Sequence, residues 1–430
     1  MSSDALSPVD GRYSKEVEPL RDYFSERALV AKRVDVELRY LALLKTLGIA
    51  PDARIPRIEL SMSRVKKLEE EMGHDVKAVE VFIRRSLDRS GASPLAPYVH
   101  LGLTSEDTNS IAYAILLRDA LRDVILPEYS RLATALAGLA KREAKTAMLA
   151  RTHGRPAVPT TFGKEVAVFA VRLAERTSLL KSKKPTAKLS GAVGTYASFK
   201  LMKDLDWPRV FRGFVEKLGL DYAAYTTQVV PGEGLSDVLH LVINTNQLMR
   251  SLARDLWLYQ TLDYVCFTRP GKVSSSTMPQ KENPVDLENA EGQTEISDSI
   301  LTLLAYRLQT TRMQRDLSDS VLRRMVGQGL AHSLVACRRL EGSLRLMVVD
   351  RKAMADDLSR HREVYAEAAQ VAMRLKGDER GYEKVRSAVA GGRSGSLSRY
   401  AGGPDGYVGL APKLALDCAR VVSKLLASKS

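Results

Sequence analysis

Between Gly234 and Pro270 the chain runs without an internal glycine or proline. Apolar residues recur there every three or four positions, at Leu235, Leu239, Val242, Met249, Leu252, Leu256, Tyr259 and Leu262, and Asn246 is the one polar residue in the same phase. That period predicts a single helix with a continuous apolar stripe, roughly 50 Å long at ~1.5 Å per residue. A second such stretch runs from Gln293 to Met325 and Val326, and a third runs from Leu116 towards Met148 with only Pro127 and Gly138 as interruptions. Helices of this length pack as a bundle, and stripes this wide also suit packing against other subunits. Alternating Val/Ile/Thr runs are scarce, so the predicted fold class is all-α.

Texture divides the chain into three predicted domains. Residues 1–99 carry medium-length amphipathic segments, Ser25 to Leu47 and Ile58 to Met72, separated by Gly48, Pro51, Pro56 and Gly73, and read as a small helical domain. Residues 100–342 hold the long helices. Residues 343–430 have shorter helical segments and a glycine-rich run, AGGRSGSLSRYAGGPDG, expected to be a flexible surface loop.

Several function classes are disfavoured. No apolar run approaches the ~18 residues needed to span a bilayer, and the opening MSSDALSPVDGRY lacks a basic-then-apolar leader. A cytoplasmic protein is therefore expected. Cys266, Cys337 and Cys418 are far apart and form no CxxC pair, which predicts buried free thiols and neither a disulfide framework nor a zinc site. None of the six histidines lies in an HExxH or HxH pattern, so no metal is expected. The net charge of +14 could attract nucleic acid, but basic and acidic residues are interleaved. The densest basic cluster, Lys181 to Lys184, has no neighbouring aromatics for bases to stack on. Small anionic substrates suit the charge equally well.

Four breaks in the helical texture carry unusual residues. Helix termini are where free backbone donors and polar side chains converge on a ligand. The first is Val273-Ser-Ser-Ser-Thr-Met-Pro-Gln-Lys-Glu-Asn-Pro284, and the second is Arg151-Thr-His-Gly-Arg-Pro-Ala-Val-Pro-Thr-Thr-Phe-Gly-Lys164, which places His153 in a turn ahead of a helix. The third is His100-Leu-Gly-Leu-Thr-Ser-Glu-Asp-Thr-Asn109, in which Thr104 and Asp107 have capping-box spacing. The fourth is Gln314-Arg-Asp-Leu-Ser-Asp-Ser-Val-Leu-Arg-Arg324. Taken singly these are a serine-rich loop, a turn, a helix cap and a charged helix face.

Jointly they resemble the fumarase/aspartase superfamily, whose signature loop is written GSSxMPxKxNP. The second, third and fourth segments are similar to the TRTHGQPAxPTTFGK, TSxD and QRDxxxS…R segments of its adenylosuccinate lyase family. Three further stretches point to that family: Ser7-Pro-Val-Asp-Gly-Arg-Tyr13, His74-Asp-Val-Lys-Ala-Val-Glu80 and Tyr225-Thr-Thr-Gln228. The resemblance covers residues 6 to 342. Departures are Ser274 for a usual glycine, Gln280 for a common histidine and Arg155 for a usual glutamine.

The resemblance implies a three-domain lyase whose central bundle packs into a tetrameric helical core, with active sites shared between subunits. It implies general acid–base elimination of fumarate from a succinylated purine nucleotide, with no cofactor. Ser275 would be the base, with Ser276 the alternative, and His153 the acid; His74 would orient or polarise the substrate. Arg12, Tyr13, Arg315, Ser320 and Arg324 would bind phosphate, a role that suits the bidentate arginine fork. Lys281, Asn283, Thr104, Ser105, Thr152 and Gln228 would stabilise the dianion that develops on the succinyl carboxylate. Other lyases of the superfamily lack a use for the phosphate set. A helical nucleic-acid-binding protein is the rival from another class, and salt-dependent retention on DNA would mark it.

Overall fold

The computed structural model describes residues 4–268, 277–278, 280–402 and 405–428. Helix predominates, and the strands are few and short. The chain divides into two compact units: Met1–Leu126, Leu180–Ile243 and Ile296–Leu334 form the first, and Pro127–Leu179, Asn244–Glu295 and Val335–Ser430 the second.

Ser25 caps helix α1 (Glu26–Thr46), its side chain accepting from the Ala28 amide at 3.1 Å. Helix α2 (Met62–Met72) starts later than the Ile58 expected from periodicity and stops at Gly73, which takes φ +65° as a left-handed C-terminal residue does. The next residue, His74, caps α3 (Asp75–Arg89). Helix α4 (Ser105–Ala120) passes through a π-helical turn, Leu121–Ile125, into α5 (Leu126–Arg142). Pro127 and Gly138 therefore leave the helical course intact. The wider turn lies just where proline's missing N–H and bulky ring would disturb a regular α-ladder.

A short hairpin follows, β1 (Ala147–Thr152) with β2 (Arg155–Thr161), leading into α6 (Phe162–Ser182). Helix α7 spans Trp207–Lys217, and α8 spans Glu233–Thr261. The continuous helix read to Pro270 thus ends early. Asp263 adopts φ +59° and the chain enters β3 (Val265–Phe267), paired antiparallel with Met347–Val349. Tyr264 explains the turn: its ring is buried and its hydroxyl donates to Asp357 at 2.6 Å, an arrangement that a continuing helix would not supply.

The stretch from Gln293 to Val326 is also interrupted, dividing into α9 (Val285–Arg307), α10 (Ser318–Arg323) and the start of α11 (Val326–Leu346). Local side chains take over the backbone bonds in the gap. Asp316 accepts from the amides of Arg312 and Ser318, and Thr311 Oγ1 accepts from the Asp316 amide. Short polar side chains compete with the helical ladder in this way.

The first unit holds an apolar cluster that includes Leu41, Leu44, Phe82, Ile83, Phe199, Trp207 and Phe211. Phe199 and Phe211 meet edge to face at 4.7 Å, and truncating either ring to alanine should cost about 3–5 kcal/mol. In the second unit Leu149, Leu358, Tyr365 and Leu397 share a core cluster. Leu397 belongs to the glycine-rich run, which is thus anchored by a 3₁₀ turn, Ser394–Tyr400, instead of being wholly a surface loop. Cys337 and Cys418 are buried as expected, whereas Cys266 is exposed because alternate residues of β3 face opposite ways. Among the described residues no helix is long and apolar enough to cross a membrane.

Candidate active site

The Thr104-Ser105 turn is held from below by buried charge. Asp107 Oδ2 accepts from the Thr104 amide at 2.9 Å, closing the capping box that the spacing predicts. Its other oxygen takes Lys188 Nζ at 2.6 Å and the Ser190 amide at 2.9 Å. Ser190 Oγ in turn lies 2.7 Å from Thr226 Oγ1, tying the Tyr225–Gln228 segment to the same turn. Gly194, at φ +79°, allows that approach, since a Cβ there would lie 2.0 Å from the Thr226 carbonyl oxygen.

One connected network joins Gln228, Arg315 and Arg324 of the expected residues. Arg315 Nη1 donates to Gln228 Oε1 at 3.1 Å, and its Nη2 donates to Glu106 Oε1 at 3.2 Å. Glu106 Oε2 accepts from Arg323 at 3.3 Å. Glu106 Oε1 also accepts from Asn109 Nδ2 at 2.9 Å, and Asn109 Oδ1 accepts from Arg33 Nε at 2.9 Å. Arg33 Nη2 and Arg324 Nη2 both donate to Asp75 Oδ2, at 2.9 and 3.0 Å. Burial pushes the Asp75 carboxyl up, but the charge and hydrogen bond of Arg33, with Arg324, hold it below its ordinary value. For Asp319 burial prevails and lifts the carboxyl despite Arg323 and Arg315, with Glu106 pushing the same way.

His74 is exposed, and its Nδ1 accepts from the Lys77 amide at 3.3 Å. An imidazole that accepts through Nδ1 carries its proton on Nε2 and can donate there. Ser320 is partly exposed on α10, while Arg324 is 45% exposed beside Asp75. Arg12 is exposed and Tyr13 buried. The nearby Val9 and Asp10 line a cavity of about 460 Å³ together with Arg324 and Gln328.

In the second unit Thr152 pairs with Arg155 across the hairpin, leaving His153 and Gly154 as the two-residue tip. Both have positive φ, +54° and +72°, as a type I′ turn requires. His153 is exposed at this tip. Asp357 braces the hairpin, accepting from Arg151 at 2.7 Å as well as from Tyr264. Burial pushes Asp357 up, but bonds from Tyr264, Arg360 and Arg151 bring it below the ordinary carboxylate value. Lys281 is exposed and Asn283 partly buried ahead of α9. Ser275 and Ser276 lie outside the described residues.

Sequence reasoning missed Arg33, Glu106, Asn109 and Arg323 as members of the network. The tandem Arg323-Arg324 was a usable signal: successive helical side chains diverge by about 100°, and here Arg323 points inward while Arg324 is exposed. Arg33 and Glu106 gave none beyond a charge on an otherwise apolar face.

The helical fold, with the Thr104-Ser105 turn and the arginine network beside it, is that of a lyase of the fumarase/aspartase superfamily. A family model described as Lyase matches residues 11–295, and the adenylosuccinate lyase C-terminal model matches residues 311–397. The chain is 36% identical over 409 residues to adenylosuccinate lyase of Escherichia coli (strain K12), covering 91% of this chain and 90% of that one. It is 35% identical over 407 residues to the enzyme of Legionella pneumophila (strain Corby), covering 90% and 89%. The chain belongs to the adenylosuccinate lyase family. Its fold is that of 3-carboxy-cis,cis-muconate lactonizing enzyme from Pseudomonas putida, with a TM-score of 0.74 at 21% identity over 95% of this chain and 98% of that one. Fumarate lyase from Mesorhizobium sp. BNC1 shares it, with a TM-score of 0.74 at 20% identity over 96% and 98%.

Proposed function

We propose that the chain cleaves adenylosuccinate to AMP and fumarate, and cleaves succinylaminoimidazole carboxamide ribotide (SAICAR) to AICAR and fumarate in the same way. The observation that carries this reading is the Arg315 guanidinium, hydrogen-bonded to Gln228 and to Glu106 beside the Thr104-Ser105 turn. It joins two segments assigned to phosphate and to the succinyl group.

In the elimination, Ser275 takes the proton from the succinyl carbon next to a carboxylate. The electron pair left on that carbon forms the double bond of fumarate as the carbon–nitrogen bond breaks, and His153 delivers a proton to the departing nitrogen. Charge accumulates on the carboxylate before cleavage, so fixed donors aimed there lower the barrier. Thr104, Ser105, Thr152, Gln228, Lys281 and Asn283 fill that role. Lys281 also supplies the positive charge that a serine needs to act as a base. His74 donates from Nε2 to the substrate, while Arg12, Tyr13, Arg315, Ser320 and Arg324 hold the phosphate. No cofactor or metal enters these steps.

The working form is a cytoplasmic homotetramer with active sites shared between subunits. Exposed apolar side chains support it: Trp257 and Leu258 on α8, and Ile296, Leu303 and Tyr306 on α9. Bands of this kind on long helices favour association. Neither a membrane nor nucleic acid is needed as a partner.

The test is to incubate purified protein with adenylosuccinate and quantify AMP and fumarate by chromatography, with Ser275→Ala in parallel. Equimolar products from the native protein alone are expected. No product across a range of pH would refute the substrate assignment, and equal product from Ser275→Ala would refute the base.

A further inference from the structure

Arg33 has no part in any of the steps above, yet only 3% of its side chain is exposed. Placing a guanidinium in such a site is costly unless its hydrogen bonds are met. The two that are met lead in opposite directions. Nη2 donates to Asp75 Oδ2, the same oxygen that accepts from Arg324. Nε donates to Asn109 Oδ1, while Asn109 Nδ2 donates to Glu106 Oε1, the oxygen that accepts from Arg315. Arg33 is thus the link between two carboxylates, each of which orients a different arginine.

We propose that Arg33 is a positioning residue that fixes Arg315 and Arg324 relative to each other, and so sets the enzyme's preference for a phosphorylated substrate. This rests on the assignment of those two arginines to the nucleotide phosphate. A phosphate is gripped well only when donors converge from set directions, and the rigid planar fork of Arg33 transmits such directions. Lysine keeps the charge and can reach one partner, but it has no second edge with which to hold Asn109. Without the bridge, Asp75 retains Arg324 alone, and the Asn109 amide loses the contact that orients it towards Glu106. Both arginines keep their charge, so attraction of anions persists while its geometry is lost.

The effect therefore falls on phosphate recognition and spares the chemistry. The experiment compares kcat/KM for adenylosuccinate with that for succinyladenosine, which lacks the phosphate, in wild type, Arg33→Lys and Arg33→Met. AMP and adenosine binding by calorimetry run alongside. Arg33→Met should lower the preference for the phosphorylated substrate by about tenfold or more, as loss of a charge-assisted contact does, with kcat nearly unchanged. Arg33→Lys should fall between it and wild type. Asn109→Ala breaks the same bridge without removing a buried charge, so it serves if Arg33→Met fails to fold. Equal losses on both substrates, or an unchanged preference in well-folded variants, would overturn the proposal. Wild-type protein that binds AMP more tightly than adenosine but leaves adenylosuccinate's succinyl group intact would refute the proposed reaction, while weaker AMP binding in the variants would still uphold the role of Arg33.

Discussion

Lys188 Nζ lies 2.6 Å from Asp107 Oδ1, and neither side chain has any exposure to solvent. The pair sits under the Thr104-Ser105 turn, and its remaining bonds go to the backbone of Thr104, Ser190 and Gly191. Removing one partner strands a buried charge. Lys188→Met should lower unfolding stability by about 3–5 kcal/mol, read from urea denaturation. A loss near zero would mean that the charge is relieved by water or by protonation.

A partly buried pair has a pH signature. His100 Nδ1 lies 2.7 Å from Glu37 Oε1. Burial pushes the imidazole down, but the bond and charge of Glu37, with Glu80 and Asp107, raise it above 6.5. Because the folded value exceeds the unfolded one, the stabilisation is fully present below the unfolded value and is lost as pH rises through the folded one. The melting temperature of wild type minus that of His100→Gln should shrink over this rise, and a pH-independent difference would contradict it.

The hairpin tip separates folding from chemistry. Asparagine tolerates the left-handed conformation that His153 adopts, so His153→Asn should melt close to wild type. Its turnover should nonetheless fall ~10²–10⁴-fold if the imidazole is the general acid. Near-normal turnover would move the acid elsewhere.

Gly194 tests the Tyr225–Gln228 segment. With φ +79° and a Cβ that would sit 2.0 Å from Thr226 O, Gly194→Ala must shift that segment. KM should rise several-fold through Gln228, and thermal stability should fall by the order of 1–3 kcal/mol. Kinetics identical to wild type would show that the segment does not touch substrate.

Sharing of sites between subunits is testable by mixing. Ser275→Ala and His153→Ala proteins, each inactive alone, should regain part of the activity after subunit exchange if one site draws these residues from different chains. No recovery after verified exchange would place both on one chain.

Much of this molecule was legible in advance because its signals are local. Periodicity gave α1 and most of α8, and the Thr104/Asp107 spacing gave the helix start. The motif residues Gln228 and Arg315 do meet. The errors in helix length had a common source, since a pattern free of breakers does not say where a helix must stop. Tyr264 leaves the helical path to reach Asp357, and Asp316 and Thr311 draw backbone bonds out of the α9–α10 gap. Neither event is visible in propensity, because the first depends on a partner distant in sequence and the second on side chains winning against the ladder.

The sequence by itself determined the family, the helical class and the chemical types available to a site, all of which reside in residue identity and short spacing. Only the tertiary structure decided which charges are counter-ions and which are free to meet a ligand. It turned Arg323 inward while Arg324 stayed exposed, and it placed Arg33 and Glu106 among the arginines assigned to phosphate. The energy of a buried charge depends on the few partners within about 3–4 Å, and those partners come from segments far apart in the chain.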